Sequence, residues 1–434
     1  MRIAFVTPEF VTEEYFSGGL ANYVHRLSSA LAERGHHVHV LVRSSQAQET
    51  FTLGRVHIHR VLVDSPSPWV PSFVRQALNE LPDGERLQLG SRNTWVPCAA
   101  RRALKEPHQW LKFSWLAWRR LEALNREQAF DIVQLANYQA CGLFVAMLSR
   151  IPHVTRLSSF QKIWNKAGRS RRLPGESLEE WLTESLELLQ LRSGCHLFAP
   201  SRWLAAAVSA HLGSVRVDVV PSPAFIETAS FDEGPFRDRL EGHQYLLFFG
   251  RYQLHKGAHI LARALPAVFR ALPACEAVFV GRDIESELGP SMEAYIYRCS
   301  PGFESRLHFF GETPHEQLFP IVKGARLVVL PSLVDNLPNA MLEAMSLGRP
   351  VVGTFGASFD EVIQDGKSGF LVAPGHPDEL ADKIIQAWNH PELDSIGEAA
   401  STIMGAFSRE YVATATLEYF RRAMNERVSR SSRR

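Results

Sequence analysis

Two carboxylates, Asp335 and Glu343, stand eight positions apart in the run P-S-L-V-D-N-L-P-N-A-M-L-E-A-M-S-L-G, Pro331–Gly348. An ionised Asp or Glu only accepts hydrogen bonds, so the pair suits recognition of hydroxyl groups such as those of a sugar or a ribose. Ala325–Leu330 reads as a buried strand ending at Pro331, and the Ala- and Met-rich residues around Glu343 read as a helix. A strand therefore stops, a loop presents Asp335, Asn336, Leu337 and Pro338, and a helix starts near Asn339 and Ala340. Free amides at a helix start carry about half a positive charge and receive polar oxygens or phosphate. The plain alternative is a helix cap at Asp335 and a solvated Glu343.

A second loaded turn is F-F-G-R-Y-Q-L-H-K-G, Phe248–Gly257. Arg251 and Lys256 follow Gly250 at the carboxyl end of a predicted strand and lead into a helix. Two fixed cations beside helix-start amides are what a diphosphate leaving group needs as negative charge builds on it; a solvated basic loop is the alternative. Near the amino terminus, S-G-G-L-A-N-Y (Ser17–Tyr23) puts Gly18 and Gly19 where backbone can approach a ligand closely. No GxGxxG opens either half, which disfavours a nicotinamide oxidoreductase.

The elements that must position these groups alternate. Strands are predicted at Arg2–Thr7, His37–Val42, Val56–Val63, Asp131–Leu135, His153–Leu157 and Val215–Val220, with helices at Gly18–Arg34, Gln139–Ser149 and Glu176–Arg192. Residues 64–98 read as Pro-rich and irregular. Pro221–Gly242 is turn-rich and reads as a linker. The alternation restarts at Tyr245–Phe249 and continues through strands at Ala277–Val280, Leu307–Phe310, Leu327–Leu330, Pro350–Gly353 and Phe370–Val372, with helices at Gly257–Ala271 and Pro314–Lys323. Two such series imply an α/β protein of two doubly wound, Rossmann-like parallel sheets facing each other across a cleft. The division is residues 1–220, a linker at 221–242, and a second domain at 243–408. The basic tail Ser429–Arg434 reads as unstructured.

The 434 residues are 45% hydrophobic and 21% charged, ordinary globular composition, with a net charge of +1. Residues 1–220 carry +7 and the remainder −6, the basic excess lying in Ala99–Arg126 and Lys162–Arg172. The first of these mixes Trp110, Phe113, Trp115 and Trp118 with arginines and lysines. That pattern fits either an amphipathic packing helix or contact with an anionic membrane surface. Near-neutral charge and the lack of a recognition motif argue against nucleic acid. Five scattered cysteines without Cys/His ligand spacing predict a reducing compartment and no structural metal. With no signal peptide and no bilayer-spanning apolar run, a cytoplasmic protein, peripheral at the inner membrane face at most, is expected.

At the level of motifs the chain resembles the retaining, GT-B-fold glycosyltransferases of family 4, the glycosyl transferases of group 1. The matching elements run in order: G-R-x(4)-K-G at Gly250–Gly257, V-F-V-G at Val278–Gly281, L-H-F-F-G at Leu307–Gly311, the pair Asp335/Glu343, G-R-P-V-V-G at Gly348–Gly353, and Gly356–Val372. The S-G-G-L-A-N-Y-V run fits as well, and only about residues 64–128 fall outside the resemblance. It implies that Arg251 and Lys256 hold the diphosphate of a UDP- or GDP-sugar donor, that Glu343 binds its ribose and that Asp335 faces its sugar. It further implies that the amides of Leu337–Ala340 contact sugar and phosphates, that Gly18 and Gly19 let the first domain close, and that Phe310, Gly311, Glu312 and Thr313 border the base. Such enzymes need no metal or cofactor, and their last helix, here within 409–434, returns to the first domain. The acceptor would be a glycan, a lipid-linked sugar or a small-molecule hydroxyl.

Two departures stand out. The acidic motif begins with Asp335 where the family typically has Glu, and the first cleft lacks the histidine many members carry, offering Asn137, Tyr138, Ser158 and Ser159 instead. A sugar-nucleotide epimerase or phosphorylase on the same fold, or a non-catalytic sugar-nucleotide-binding protein, are the alternative readings.

Overall fold

A computed structural model describes residues 1–13, 18–46, 48–63, 98–167, 176–194, 196–213, 215–226, 231–283, 288–289 and 291–431. Residues 64–97, which the sequence reads as Pro-rich, Ser17, the basic segment 168–175 and the tail beyond Ser431 lie outside the described residues.

The first sheet contains β1 (Arg2–Thr7), β2 (His37–Ser44), β3 (Thr50–Leu53), β4 (Val56–Leu62), β5 (Ile132–Ala136), β6 (His153–Arg156), β7 (Leu197–Ala199) and β8 (Val217–Val219). Their order across the sheet is β3-β4-β2-β1-β5-β6-β7-β8, parallel throughout except for β3 against β4. The second sheet contains β9 (Tyr245–Phe249), β10 (Glu276–Val280), β11 (Leu307–Phe310), β12 (Leu327–Val329), β13 (Val351–Thr354) and β14 (Phe370–Val372), all parallel, in the order β11-β10-β9-β12-β13-β14. The continuous apolar runs of β1 and β9 are buried along their whole length, as strands covered by helices on both faces must be.

In each sheet the strand order reverses beside the first strand, between β1 and β5 and between β9 and β12. Ligand crevices of doubly wound sheets open outside the carboxyl ends of the strands at such reversals. The loops there are those holding Glu9–Glu13, Gly18–Gly19, Asn137–Ala140, Gly250–Gly257 and Pro331–Pro338. Topology thus collects the chemically loaded turns at one place.

Several elements differ from the sequence reading. β7 is only three residues long and shows no period, and β3 is a short antiparallel edge. The predicted helix Gln139–Ser149 is split into a tight turn at Tyr138–Ala140 and a helix at Leu143–Leu148, because Gln139 and Ala140 take left-handed φ of 58° and 46°. Inside the predicted linker, Gly234–Leu240 is helical, since proline at the first turn starts a helix as readily as it makes a bend. Leu240 is buried in the second domain's core.

The aromatic-basic segment forms the helix Cys98–Glu127, which packs Phe113, Ala117, Leu121 and Leu124 on the face of the first sheet that carries Ala4 and Val6. Trp115 and Trp118 lie with ring centroids 4.8 Å apart, and Trp115 meets Phe144 edge-on at 5.3 Å. No helix among the described residues is long and apolar enough to cross a membrane.

The opposite face of the first sheet is covered by the helix Gly19–Glu33 and by the last helix, Arg409–Ser431. Val412, Leu417, Tyr419 and Phe420 join Ile3, Phe5 and Leu27 in one buried cluster. No glycine or proline interrupts this helix, so it runs through Ser431, into the tail that the sequence reads as unstructured. Where the chain leaves the first domain and where it returns, the Ala224 amide donates to the Phe407 carbonyl at 2.9 Å.

Candidate active site

The turn after β9 is shaped by its last glycine. Gly257 has φ 77°, and a Cβ there would fall 1.9 Å from the carbonyl oxygen of Pro331. Only glycine lets the start of the helix Ala258–Ala271 press against the loop after β12. That contact carries Lys256 to Asp335: Nζ lies 2.6 Å from Oδ2. Asp335 is nearly buried and also accepts from Ser332 Oγ at 3.3 Å and from the Asn336 amide at 2.9 Å, so its carboxylate is fixed in direction. Leu337, buried, takes a left-handed φ of 53°, and Pro338 then launches the helix Asn339–Ser346. Strained non-glycine residues of this kind cluster at ligand clamps.

The two domains meet across this turn. Asn339 Nδ2 donates to the Gly19 carbonyl at 3.3 Å. Asn336 donates from Nδ2 to the Ser158 carbonyl at 3.1 Å and accepts from Ser201 Oγ at 3.0 Å; Ser358 Oγ donates to Ser201 Oγ at 3.2 Å. Glu343 does not face open solvent: its Oε1 lies 3.0 Å from an Arg26 guanidinium nitrogen, both side chains being almost buried. Above Gly18 the packing is tight enough that a Cβ would lie 2.7 Å from Glu9 Oε2 and 3.3 Å from an Arg251 guanidinium nitrogen. Arg251 of the second domain therefore stands beside Glu9 of the first.

Glu9 accepts from the amides of Gly18 and Ala21, capping the helix Gly19–Glu33, which has no side-chain cap of its own at Gly18. Burial pushes the Glu9 carboxyl up, against the opposing pull of Arg251. Tyr138 belongs to the same group; burial raises its phenol, with Glu9 adding to the effect. His255, between Arg251 and Lys256 in the turn, is held neutral: burial, then Lys256, bring it down to about 4.

The candidates on the far side divide. Tyr138 lies in the cleft. Asn137 is fully buried, with Nδ2 donating to the Ser159 carbonyl at 2.6 Å and to Glu187 Oε1 at 2.7 Å while Oδ1 accepts from the Ser158 amide at 2.7 Å. It shapes the wall rather than offering a group to a ligand. Ser158 Oγ accepts from Arg156 at 2.9 Å, and Ser159 Oγ is buried. Phe310, Gly311 and Glu312 border a cavity of about 340 Å3 that also takes in Tyr252, Arg282 and Glu293; Thr313 follows, its Oγ1 bonded to the Gly311 carbonyl at 3.0 Å.

The sequence reading missed Glu9, Arg26, Ser201 and Ser358. Arg26 was recoverable in part, since it follows Gly19 by seven residues and so shares its helix face.

Two Rossmann-like domains with a polar cleft between their reversal points define the class, the GT-B glycosyltransferases. Comparison with known families agrees: residues 18–223 match the glycosyl transferase 4-like domain, and residues 243–390 match glycosyl transferases group 1. The chain belongs to the group 1 glycosyltransferases of family 4. An uncharacterized glycosyltransferase of Methanocaldococcus jannaschii is 22% identical over 442 residues, spanning 98% of this chain and 99% of its own. The D-inositol 3-phosphate glycosyltransferase of Paenarthrobacter aurescens is 23% identical over 440 residues, with 94% of each chain covered. Among solved structures, sucrose-phosphate synthase of Thermosynechococcus elongatus superposes with a TM-score of 0.74 at 16% identity, covering 98% of this chain and 100% of that one. Anabaena HepE in complex with UDP-glucose gives 0.62 at 18%, covering 96% and 98%.

Proposed function

We propose that this glycosyltransferase moves a sugar from a nucleoside-diphosphate sugar to an acceptor hydroxyl with retention of anomeric configuration. The observation that carries the reading is the convergence of Lys256, Arg251, Asp335 and the start of the helix Asn339–Ser346 on one point, with Gly18 and Gly19 of the other domain packed against it. Lys256 and Arg251 supply two positive charges, and the helix start adds oriented amides. Together they suit a diphosphate that gains charge as the glycosidic bond breaks. Countercharge from side chains and amides is the basis for proposing that transfer needs no metal or cofactor.

Asp335, fixed by three hydrogen bonds, is assigned to the donor sugar's hydroxyls, and Glu343 to the ribose. The cavity bordered by Phe310, Gly311 and Glu312 is the place for the base. The bond from the anomeric carbon to the phosphate oxygen breaks as the bond to the acceptor oxygen forms on the same face, and the acceptor's proton passes to the departing diphosphate. Glu9 and Tyr138, beside Arg251, are assigned to the acceptor side. The UDP-glucose of the HepE complex supports a nucleotide-sugar donor, and the D-inositol 3-phosphate glycosyltransferase supports a small polyol acceptor.

A thermal-shift panel of nucleoside diphosphates and nucleotide sugars, with and without magnesium, tests this. A ligand at a hundredfold its dissociation constant adds about 2.7 kcal/mol of stability. One nucleotide should shift the melting temperature selectively and equally well without magnesium. If none does, the donor assignment fails.

A further inference from the structure

At the amino end of the second sheet, on the edge opposite the cleft, three side chains from separate elements converge. His243 precedes β9, Glu276 opens β10 and His308 lies in β11. His243 Nδ1 is 2.9 Å from Glu276 Oε2 and 3.0 Å from Oε1, and His308 Nε2 is 2.6 Å from Oε2. The ligand atoms of all three lie within 4.8 Å of one another. From these positions we infer that His243, Glu276 and His308 form a binding site for a divalent transition-metal ion, of which Zn2+ and Co2+ are the type.

The donor set decides the kind of ion. Two imidazole nitrogens and one carboxylate oxygen suit zinc, cobalt or nickel, whereas calcium and magnesium are bound through oxygen. Metal–nitrogen bonds of about 2.0–2.1 Å place tetrahedral ligand atoms roughly 3.3 Å apart; the two nitrogen–oxygen spacings, 2.9 and 2.6 Å, are somewhat shorter, and an ion would part them slightly. Partial exposure, with 41%, 23% and 21% of the three side chains accessible, gives an ion a path in and leaves coordination positions for water. Arg306 stands beside this edge, but its guanidinium is spent on the carbonyls of Phe269, Leu272 and Cys275, leaving Glu276 to the imidazoles. Because β10 pairs with both β9 and β11, an ion here clips three strand ends together. The site lies apart from the donor cleft and is independent of the transfer reaction. Sequence spacing could not show it, since Glu276 is 33 residues from His243 and 32 from His308.

Without an ion the carboxylate simply bridges two imidazoles by hydrogen bonds, and the experiment must separate the two cases. Tag-free, chelator-treated protein is titrated with Co2+ while visible ligand-field absorption is followed, then back-titrated with Zn2+; no nucleotide or magnesium is present. The expected result is one ion per chain, displaced by Zn2+. His308→Ala and His243→Ala should each weaken binding by more than about 10-fold, the least that loss of a direct ligand should cost. Glu276→Gln keeps the shape and hydrogen bonding of the site, so it should stay folded by circular dichroism and still lose the ion. Substoichiometric uptake by the wild type, or equal uptake by the three variants, overturns the assignment.

Discussion

Arg26 and Glu343 are 317 residues apart in sequence and 3.0 Å apart in space, a nearly buried ion pair joining the first helix of one domain to the helix Asn339–Ser346 of the other. Removing one partner of such a pair leaves a buried charge uncompensated, at a cost of about 3–5 kcal/mol. Arg26→Ala and Glu343→Ala should therefore be strongly non-additive. In a double-mutant cycle read by urea unfolding, a coupling of at least about 1.5 kcal/mol is expected. Additive effects would show that the pair contributes nothing.

Lys256→Ala and Glu343→Ala should both weaken nucleoside diphosphate binding by ~2 kcal/mol or more, about 30-fold, because under the proposed assignment each removes a charge-assisted contact. Isothermal titration with the nucleotide found in the thermal panel measures this directly. Near-wild-type affinity in both would sink the donor-site assignment.

Glu9→Gln separates acceptor chemistry from donor binding. The amide retains one acceptor oxygen for the helix start but removes the negative charge that faces Arg251. Turnover should fall by about tenfold, the loss of one charge-assisted hydrogen bond on the acceptor side, while nucleotide affinity changes far less. Equal losses in both would return Glu9 to the role of helix cap.

Gly257→Ala should be among the costliest single substitutions. It combines a left-handed backbone with a Cβ driven against the Pro331 carbonyl, and its neighbour is Lys256. Strain of this kind costs on the order of 1–3 kcal/mol before any clash is counted. A melting curve and a nucleotide titration on the same sample should both show loss.

The first sheet carries an acid-labile pair. His39 Nδ1 and His59 Nε2 are 3.0 Å apart; burial and then Arg2 bring His39 down to about 3, and burial and then Arg120 bring His59 to about 4. Unfolded histidine titrates near 6.5. Below that pH the unfolded chain takes up protons that the folded chain refuses, so stability falls as pH drops from 6.5 through about 4 to 3. Urea midpoints measured across this range should decline, and His59→Gln should flatten the slope. A midpoint constant from pH 6.5 to 4 in the wild type would contradict the burial argument.

What was legible in the sequence follows from chain distance. Asp335, Arg251 and Lys256 sit on strand-to-helix turns and Glu343 in the helix that follows one, where a local pattern marks both the element ends and the chemistry. Glu9 and Arg26 act through residues of the other domain, and no local pattern encodes which helix face a distant sheet will present. The same holds for Asn137. Its type and place suggested a cleft group, yet Glu187 and the Ser158–Ser159 backbone use up its amide, a fact visible only once the helix Glu176–Ser193 is packed. The aromatic-basic helix packs Phe113, Ala117 and Leu121 against the first sheet, a partner that its own pattern of aromatics and cations does not name.

The helix Arg409–Ser431 gives the chain an order of assembly. The core around Ile3 and Phe5 has one wall made of Val412, Leu417 and Phe420, residues that leave the ribosome only after the entire second domain. During synthesis the amino-terminal half must wait with an apolar groove uncovered, while the second half, whose two core clusters draw only on residues 224–407, can close at once. The half made first is thus the half finished last, and the final covering step also ties the two ends of the molecule into one folding unit.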